Sequence, residues 1–216
     1  MKKLTIVIAT YNRAQSLLRI LRSVVGQTAP AASWECVVVN NNSTDSTAAD
    51  FEAFAARYPD YNLRMVLETN QGLSYARNRG IEESQGEIIA IIDDDEVVNK
   101  DFAQGYLKLF DNYENAVAAG GKVVPSYPSG KPSWLSHFTE IPIANPTDWG
   151  DDIRLFPKGK IPAGGNMAFR REILLKYGGF DITLGRSAGK LTGGEESDLF
   201  ERLAKDGVEF WYTPDS

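Results

Sequence analysis

Four adjacent acidic residues, Asp-Asp-Asp-Glu at positions 93–96, directly follow the most apolar segment of the chain, residues 88–92. Carboxylates this close repel one another, and at the end of a buried strand each would favour protonation unless a cation compensated. A divalent cation bound by Asp93 or Asp95, and bridging them to a diphosphate, would explain the arrangement. The alternative is a solvated acidic turn, but the segments described next favour the cation.

A second polar segment, residues 40–45, also follows an apolar run and reads Asn-Asn-Asn-Ser-Thr-Asp. Its amide and hydroxyl groups could bind a nucleobase or a ribose. Short amide side chains also tolerate turns and cap helices, so an ordinary strand-to-helix turn explains the segment equally well.

A third segment, residues 70–80, opens a predicted helix with Gly72 and Ser74 and places Arg77 one turn inside it. An arginine near a helix N-terminus suits a phosphate or a carboxylate ligand. Alternatively, Arg77 forms a structural ion pair with one of the acids at 93–96. The two interpretations are compatible.

A fourth segment, residues 193–198, places Glu195 and Glu196 at a predicted helix start behind two glycines. Such carboxylates suit a general base. Taken alone, the pattern is better explained by the preference of acidic residues for the first helical turn.

The composition excludes several classes of function. The 216 residues, with 43% hydrophobic and 24% charged side chains, predict one large soluble domain. A net charge of −6 argues against binding to nucleic acid. One cysteine and one histidine, Cys36 and His137, cannot form a zinc site of the usual kind, so any metal is a hard cation held by oxygen atoms. The sequence contains no run of about 18 apolar residues, so it predicts no transmembrane segment, and we expect a cytoplasmic protein.

Strands alternate with helices along most of the chain. Apolar, β-branched runs predict strands over residues 4–9, 35–39, 63–67, 88–92, 117–124 and 208–213. Helical spacing predicts a helix that Asn12 can cap, a helix that Ser43 or Thr44 can cap, and helices over 74–83, 101–113, 170–177 and 195–206. Residues 125–160 show no periodicity, which is typical of a functional or mobile segment. This order predicts an α/β fold with a parallel sheet covered on both faces, and ligands beyond the carboxyl ends of its strands.

Taken together, these segments resemble family 2 of the inverting glycosyltransferases, which have the GT-A fold. The resemblance covers almost the whole chain in the family's order. It rests on Thr-Ile-Val-Ile-Ala-Thr-Tyr-Asn-Arg at 5–13, residues 38–45, Asn-Gln-Gly-Leu-Ser-Tyr-Ala-Arg-Asn at 70–78, Ile-Asp-Asp-Asp at 92–95, residues 164–170, Gly-Gly-Phe-Asp at 178–181 and Gly-Glu-Glu-Ser-Asp-Leu at 194–199.

The resemblance implies one GT-A catalytic domain over residues 1–216, with a mostly parallel central sheet. Residues 1–124 would form the nucleotide-sugar half and 125–216 the acceptor half. Asp95 would be the main ligand of Mg or Mn, with Asp93 beside it, and Glu196 would deprotonate the acceptor hydroxyl. The residues implied to bind the donor are Thr10, Tyr11, Asn12, Arg13, Asn41, Arg77 and Asp94, and those implied on the acceptor side are Gly165, Asn166 and Glu195.

The implied partners are a nucleoside-diphosphate sugar, a UDP-sugar first, and a saccharide or lipid-linked acceptor of the kind used in bacterial surface-polysaccharide assembly. Such an acceptor would bring the protein to the inner face of the membrane as a peripheral protein.

Three features depart from the family pattern. Asn40 and Asn41 stand where relatives usually have Asp, and Glu196 stands where they have Asp. Many relatives continue beyond the last strand, so we expect a C-terminally shortened domain.

The alternatives to an inverting glycosyltransferase are a non-catalytic nucleotide-sugar-binding domain, a nucleotidyltransferase and a retaining glycosyltransferase.

Overall fold

The computed structural model describes residues 3–127, 130–186 and 193–216. Its strands are β1 (Leu4–Thr10), β2 (Trp34–Asn40), β3 (Leu63–Leu67), β4 (Ile88–Asp93), β5 (Ala118–Gly121), β6 (Arg154–Leu155), β7 (Asn166–Arg170) and β8 (Phe210–Thr213). Its helices are α1 (Ala14–Val25), α2 (Thr47–Ala55), α3 (Leu73–Glu83), α4 (Phe102–Asn112), α5 (His137–Ala144), α6 (Arg171–Lys176) and α7 (Glu195–Lys205). Residues 187–192, before α7, lie outside the described residues.

The strands form one sheet in the order β3-β2-β1-β4-β7-β5-β8-β6. The predicted parallel arrangement is confirmed for β3, β2, β1 and β4. In this register Thr10 lies opposite Asn40, and Ala9 lies opposite Asp93. The loops after β1, β2 and β4 therefore leave the sheet at the same edge.

Strand β7 was not predicted, and it runs antiparallel between β4 and β5. The sequence Asn-Met-Ala-Phe-Arg is too short for a clear period and lies next to two glycines, so its apolar centre gave only a weak signal. The sheet is therefore mixed: β1 to β4 pair in parallel, and β7 pairs antiparallel with both of its neighbours.

The prediction that residues 125–160 lack regular structure is wrong in part. Helix α5 lies in this segment, and the hydroxyl of Ser136 caps it by accepting a hydrogen bond from the Thr139 N–H. Strand β6 also lies there and pairs with β8. Glu140 accepts hydrogen bonds from Tyr127 and Lys131, which ties the helix to the segment before it. Hydrogen bonds within the segment and the pairing of β6 with β8, and not hydrophobic periodicity, order these residues.

Side chains alternate between the two faces of the sheet. On one face Ile6 and Ile8 of β1 pack in a core with α1, α2 and α4. On the other face Val7 packs with residues of α6 and α7. A buried aliphatic or aromatic side chain contributes about 1.5–3 kcal/mol. Helices thus cover both faces, as predicted, and the carboxyl edge of the sheet stays open for polar loops.

Within the described parts of the chain, no helix combines the length and the hydrophobicity that crossing a bilayer requires.

Candidate active site

The loops after β1 and β2 interlock at the carboxyl edge of the sheet. Asn12 was predicted to cap α1, but its Oδ1 accepts hydrogen bonds from the backbone N–H groups of Thr44 (2.7 Å) and Asp45 (3.3 Å) in the neighbouring loop. Asp45 instead accepts from Ala14, the first residue of α1, and from Thr47, the first residue of α2. One carboxylate therefore caps two helices, and the predictions of caps at Asn12 and at Ser43 or Thr44 are wrong. Sequence spacing does not reveal such cross-loop caps.

Asn41 is buried, and its amide is fully occupied by the loop after β3. Its Nδ2 donates to the carbonyls of Glu68 (3.1 Å) and Asn70 (2.7 Å). Its Oδ1 accepts from the backbone N–H of Gly72 at 2.8 Å. Asn41 thus fixes the entry to α3. The exposed ring of Tyr11 lies at the same edge and is open to a ligand.

Asp94 points inward and is held from two sides. Its carboxylate accepts a 2.6 Å hydrogen bond from the Thr10 hydroxyl. It also forms an ion pair with Arg13, whose Nη1 lies 3.0 Å from Asp94 Oδ1. Burial raises the pKa of Asp94 above its usual value, although Thr10 and Arg13 oppose the shift. Arg13 also contacts Asp95 at 2.8 Å, so this guanidinium links two members of the acidic run.

Arg77 connects the acidic run to helix α7. Its side chain is 1% exposed, and Nη2 lies 2.9 Å from Asp93. Its Nη1 lies 2.7 Å from Glu196 and 3.0 Å from Glu195. The structural ion pair considered for Arg77 is thus present. The sequence could not reveal that α7, more than a hundred residues away, supplies two further carboxylates.

The two glutamates at the start of α7 differ in environment. Burial opposes ionisation of Glu196, but the charge and hydrogen bond of Arg77 outweigh it and lower the pKa of Glu196. Burial and the negative charge of Glu196 raise the pKa of Glu195. The Glu196 side chain is 23% exposed and that of Glu195 only 3%. Glu196 is therefore the ionised, accessible carboxylate that can accept a proton.

Two glycines before β7 allow backbone to approach these carboxylates. A Cβ on Gly164 would lie 2.3 Å from Glu196 Oε1, and one on Gly165 would lie 2.0 Å from Glu96 Oε1. Asn166 follows, and its Oδ1 accepts a 2.5 Å hydrogen bond from the Tyr106 hydroxyl. Gly165, Asn166 and Glu195, implied on the acceptor side, thus lie around the acidic cluster.

Glu96 was identified only as part of the acidic run, and the structure gives it a distinct position. Burial, followed by the negative charges of Asp93 and Asp95, raises the pKa of Glu96 to about 9. The carboxylates of the site thus outnumber its two arginines, Arg13 and Arg77. The adjacent glycines Gly164 and Gly165 leave room for the side chains of Glu196 and Glu96. They are the sequence feature that could have indicated this crowding.

The carboxylate oxygens at this edge of the sheet are suitable ligands for a divalent cation. Among the described residues no group of three or more Asp, Glu, His or Cys side chains is arranged as a metal site. Asp93 and Asp95 each use one carboxylate oxygen for an arginine, and in the described part of the chain their other oxygens have no hydrogen-bond partner. Oxygen donors beside a surplus of negative charge suit Mg²⁺ or Mn²⁺.

Comparison with known proteins gives the same family as the motifs. The family model described as glycosyl transferase family 2 matches residues 5–178. The glucosyl-dolichyl phosphate glucuronosyltransferase of Haloferax volcanii is 28% identical over 207 residues, covering 93% of this chain and 63% of that protein. The succinoglycan biosynthesis protein ExoM of Rhizobium meliloti is 27% identical over 213 residues, covering 97% of this chain and 63% of that protein.

Two solved structures share the fold. The mannosyltransferase PcManGT from Pyrobaculum calidifontis, in complex with GDP-Man and Mn²⁺, superposes with a TM-score of 0.73 at 25% identity, over 100% of this chain and 56% of that one. TarS from S. aureus, in complex with UDP-GlcNAc, superposes with a TM-score of 0.74 at 19% identity, over 99% of this chain and 56% of that one. This chain thus spans less than two thirds of each of these proteins. The fold is GT-A, and the chain belongs to glycosyl transferase family 2.

Proposed function

We propose that this chain carries the donor site and the general base of an inverting glycosyltransferase, which moves a sugar from a nucleoside diphosphate to an acceptor hydroxyl. The observation that carries the proposal is the position of Arg77, whose guanidinium contacts both Asp93 and Glu196. The acidic edge proposed for the donor and the ionised, accessible carboxylate of Glu196 thereby lie on either side of one guanidinium. A direct displacement needs the donor site and the general base to be this close.

The donor is a nucleoside-diphosphate sugar held with a divalent cation, Mg or Mn. PcManGT was solved with GDP-Man and Mn²⁺. Within the described residues of this chain, Asp93 and Asp95 each keep one carboxylate oxygen without a hydrogen-bond partner. When bound, such a cation offsets the charge that develops on the departing diphosphate. UDP-sugars are the first donors to test and GDP-sugars the second.

Among the residues implied to bind the donor, Tyr11 is open for direct contact, whereas the amide of Asn41 is saturated by the loop after β3. We assign Asn41, Asn12 and Asp94 to shaping the donor loops. Thr10 and Arg13 hold Asp94 and Asp95 in place.

In the reaction, Glu196 takes the proton of the acceptor hydroxyl as its oxygen attacks the anomeric carbon. The bond between that carbon and the diphosphate oxygen breaks on the opposite face, which inverts the configuration. The products are a glycoside and a nucleoside diphosphate, and Glu196 then releases its proton to solvent. Arg77 keeps Glu196 ionised, and therefore ready to accept a proton, before each turnover.

The acceptor is a saccharide or a lipid-linked sugar. Two relatives support this class by name, a glucosyl-dolichyl phosphate glucuronosyltransferase and a succinoglycan biosynthesis protein. Gly165, Asn166 and Glu195 line the acceptor side of the cluster. A lipid-linked acceptor would place the enzyme in the cytoplasm at the membrane surface.

The test measures nucleoside diphosphate release from UDP- and GDP-sugars with Mn²⁺, using water and simple alkyl glycosides as acceptors. We expect Glu196→Gln to lower turnover about 10²- to 10⁴-fold while nucleotide binding is retained. Glu201→Gln, an exposed position on the same helix, is the matched control and should not change turnover. Equal activity of Glu196→Gln and the wild type would refute the assigned base. Release of pyrophosphate from nucleoside triphosphates would instead indicate a nucleotidyltransferase.

A further inference from the structure

The turn at residues 177–180, between α6 and the loop before α7, is held by two helices at once. From α3, Asn78 Nδ2 donates to the Phe180 carbonyl at 2.8 Å, and Asn78 Oδ1 accepts from the Phe180 N–H at 2.8 Å. From α7, Arg202 donates to the carbonyls of Tyr177 and Gly179. The turn therefore joins the helix that carries Arg77 to the helix that carries Glu196.

The turn needs glycine to make this junction. Gly179 has a φ of 67°, and a Cβ there would lie 2.4 Å from Asn78 Oδ1. Only a glycine relieves both the left-handed backbone and the close approach. The backbone of the turn can thus sit against the Asn78 amide, and the amide fixes the Phe180 backbone from both its N–H and its carbonyl.

Phe180 in turn supports Arg77. The Phe180 ring is buried, and the Arg77 guanidinium carbon lies 5.4 Å from its centroid, within the range of a cation–π contact. The Nε of Arg77 is buried and has no hydrogen-bond partner among the described residues, so no polar group holds that side of the guanidinium. The ring therefore supports the guanidinium from its face, in addition to the ion pairs that Nη1 and Nη2 form with the carboxylates.

We propose that Asn78, through Phe180 and Arg77, is a positioning residue for Glu196, and that Arg202 sets the same geometry from the side of α7. This inference rests on the proposed function, because it assigns how the base is aligned. Asn78 touches neither the acidic run nor the glutamates in any described contact, so its effect must pass through the turn. The other explanation is that the turn only stabilises the fold.

The test compares Asn78→Ala, which removes both hydrogen bonds, with Asn78→Asp, which keeps the acceptor for the Phe180 N–H. Glu82→Ala, exposed on the same helix, is the control. Turnover at saturating donor and calorimetric binding of UDP or GDP with Mn²⁺ are measured separately. We expect Asn78→Ala to lower turnover about 10- to 100-fold, since small misplacements of a catalytic group cost this much. We expect nucleotide binding within about twofold of wild type, and partial recovery of turnover in Asn78→Asp. A stability role alone would move the melting temperature without this split.

A second readout keeps the inference testable without turnover. Hydrogen exchange of the backbone amides at residues 195–199 should be faster in Asn78→Ala than in the wild type, while exchange in β1 stays unchanged. A wild type that binds nucleotide but transfers no sugar would count against the proposed function, and hydrogen exchange would then decide the inference alone. Unchanged turnover in an active enzyme, or unchanged exchange at residues 195–199, would overturn the positioning role.

Discussion

Adding one methyl group at Gly164 should displace the general base. A Cβ on Gly164 would lie 2.3 Å from Glu196 Oε1, 2.7 Å from Cδ and 2.9 Å from Cγ. Ordinary contacts begin at 3.4 Å, so the carboxylate must move by about 1.1 Å. Gly164 does not have a positive φ, so its backbone accepts alanine without strain. The perturbation therefore acts on the Glu196 side chain.

The expected effect is on catalysis and not on folding. A misplacement of about 1 Å can cost about 100-fold in rate, so we expect Gly164→Ala to lower turnover by about that factor. Alanine also restricts the unfolded chain, which contributes about 0.4–1 kcal/mol and offsets the cost of moving a flexible side chain. The free energy of unfolding should thus change little.

The assay is nucleoside diphosphate release at saturating donor, with a denaturant unfolding curve for the same variant. Gly193→Ala is the matched control, because in the described part of the chain its Cβ would meet nothing within 4 Å. Turnover of Gly164→Ala equal to that of Gly193→Ala would refute the assignment of Glu196, or its position in this structure.

Three further predictions concern stability and reactivity. Gly80→Ala should lower the free energy of unfolding by about 1–3 kcal/mol, because its Cβ would lie 2.3 Å from Val7 Cγ1 in the core; a wild-type denaturation midpoint would contradict this. Asn41→Ala should lower the melting temperature by about 2–8 °C, since it removes the partner of the buried Gly72 N–H and of the carbonyls of Glu68 and Asn70, and calorimetry measures this. Cys36 should resist thiol reagents in the native protein at pH 8 and react after unfolding, because burial raises its pKa to about 12; rapid native labelling would refute it.

Local patterns predicted the first four strands of the sheet well. Strand β4 and its acidic end followed from an unbroken apolar run, and the alternation of strands with helices predicted the parallel pairing of β1, β2, β3 and β4. Strand β7 and helix α5 were not predicted, because tertiary contacts and not local sequence patterns order them. Asn166–Arg170 becomes a strand by insertion between β4 and β5, which no local period encodes.

The site was predictable in its members but not in its connections. The sequence identified Asp93, Arg77 and Glu196 separately, yet their contacts join segments far apart in the chain. Asn41 was implied to bind the donor, and that role stays a prediction. Its amide hydrogens are already donated to the carbonyls of Glu68 and Asn70. Asn78 and Phe180 lay in recognised motifs, but their pairing depends on three-dimensional packing.

The central claim is that the edge formed by β1, β2 and β4 binds a nucleoside diphosphate together with a divalent cation. The most direct measurement is calorimetric titration of UDP and GDP into the protein with and without Mn²⁺, repeated with Asp95→Asn. We predict that one nucleotide binds with Mn²⁺, binds much more weakly without it, and loses that difference in Asp95→Asn. Binding that is unaffected by Mn²⁺ and by Asp95→Asn, or no binding of either nucleotide, would contradict the claim.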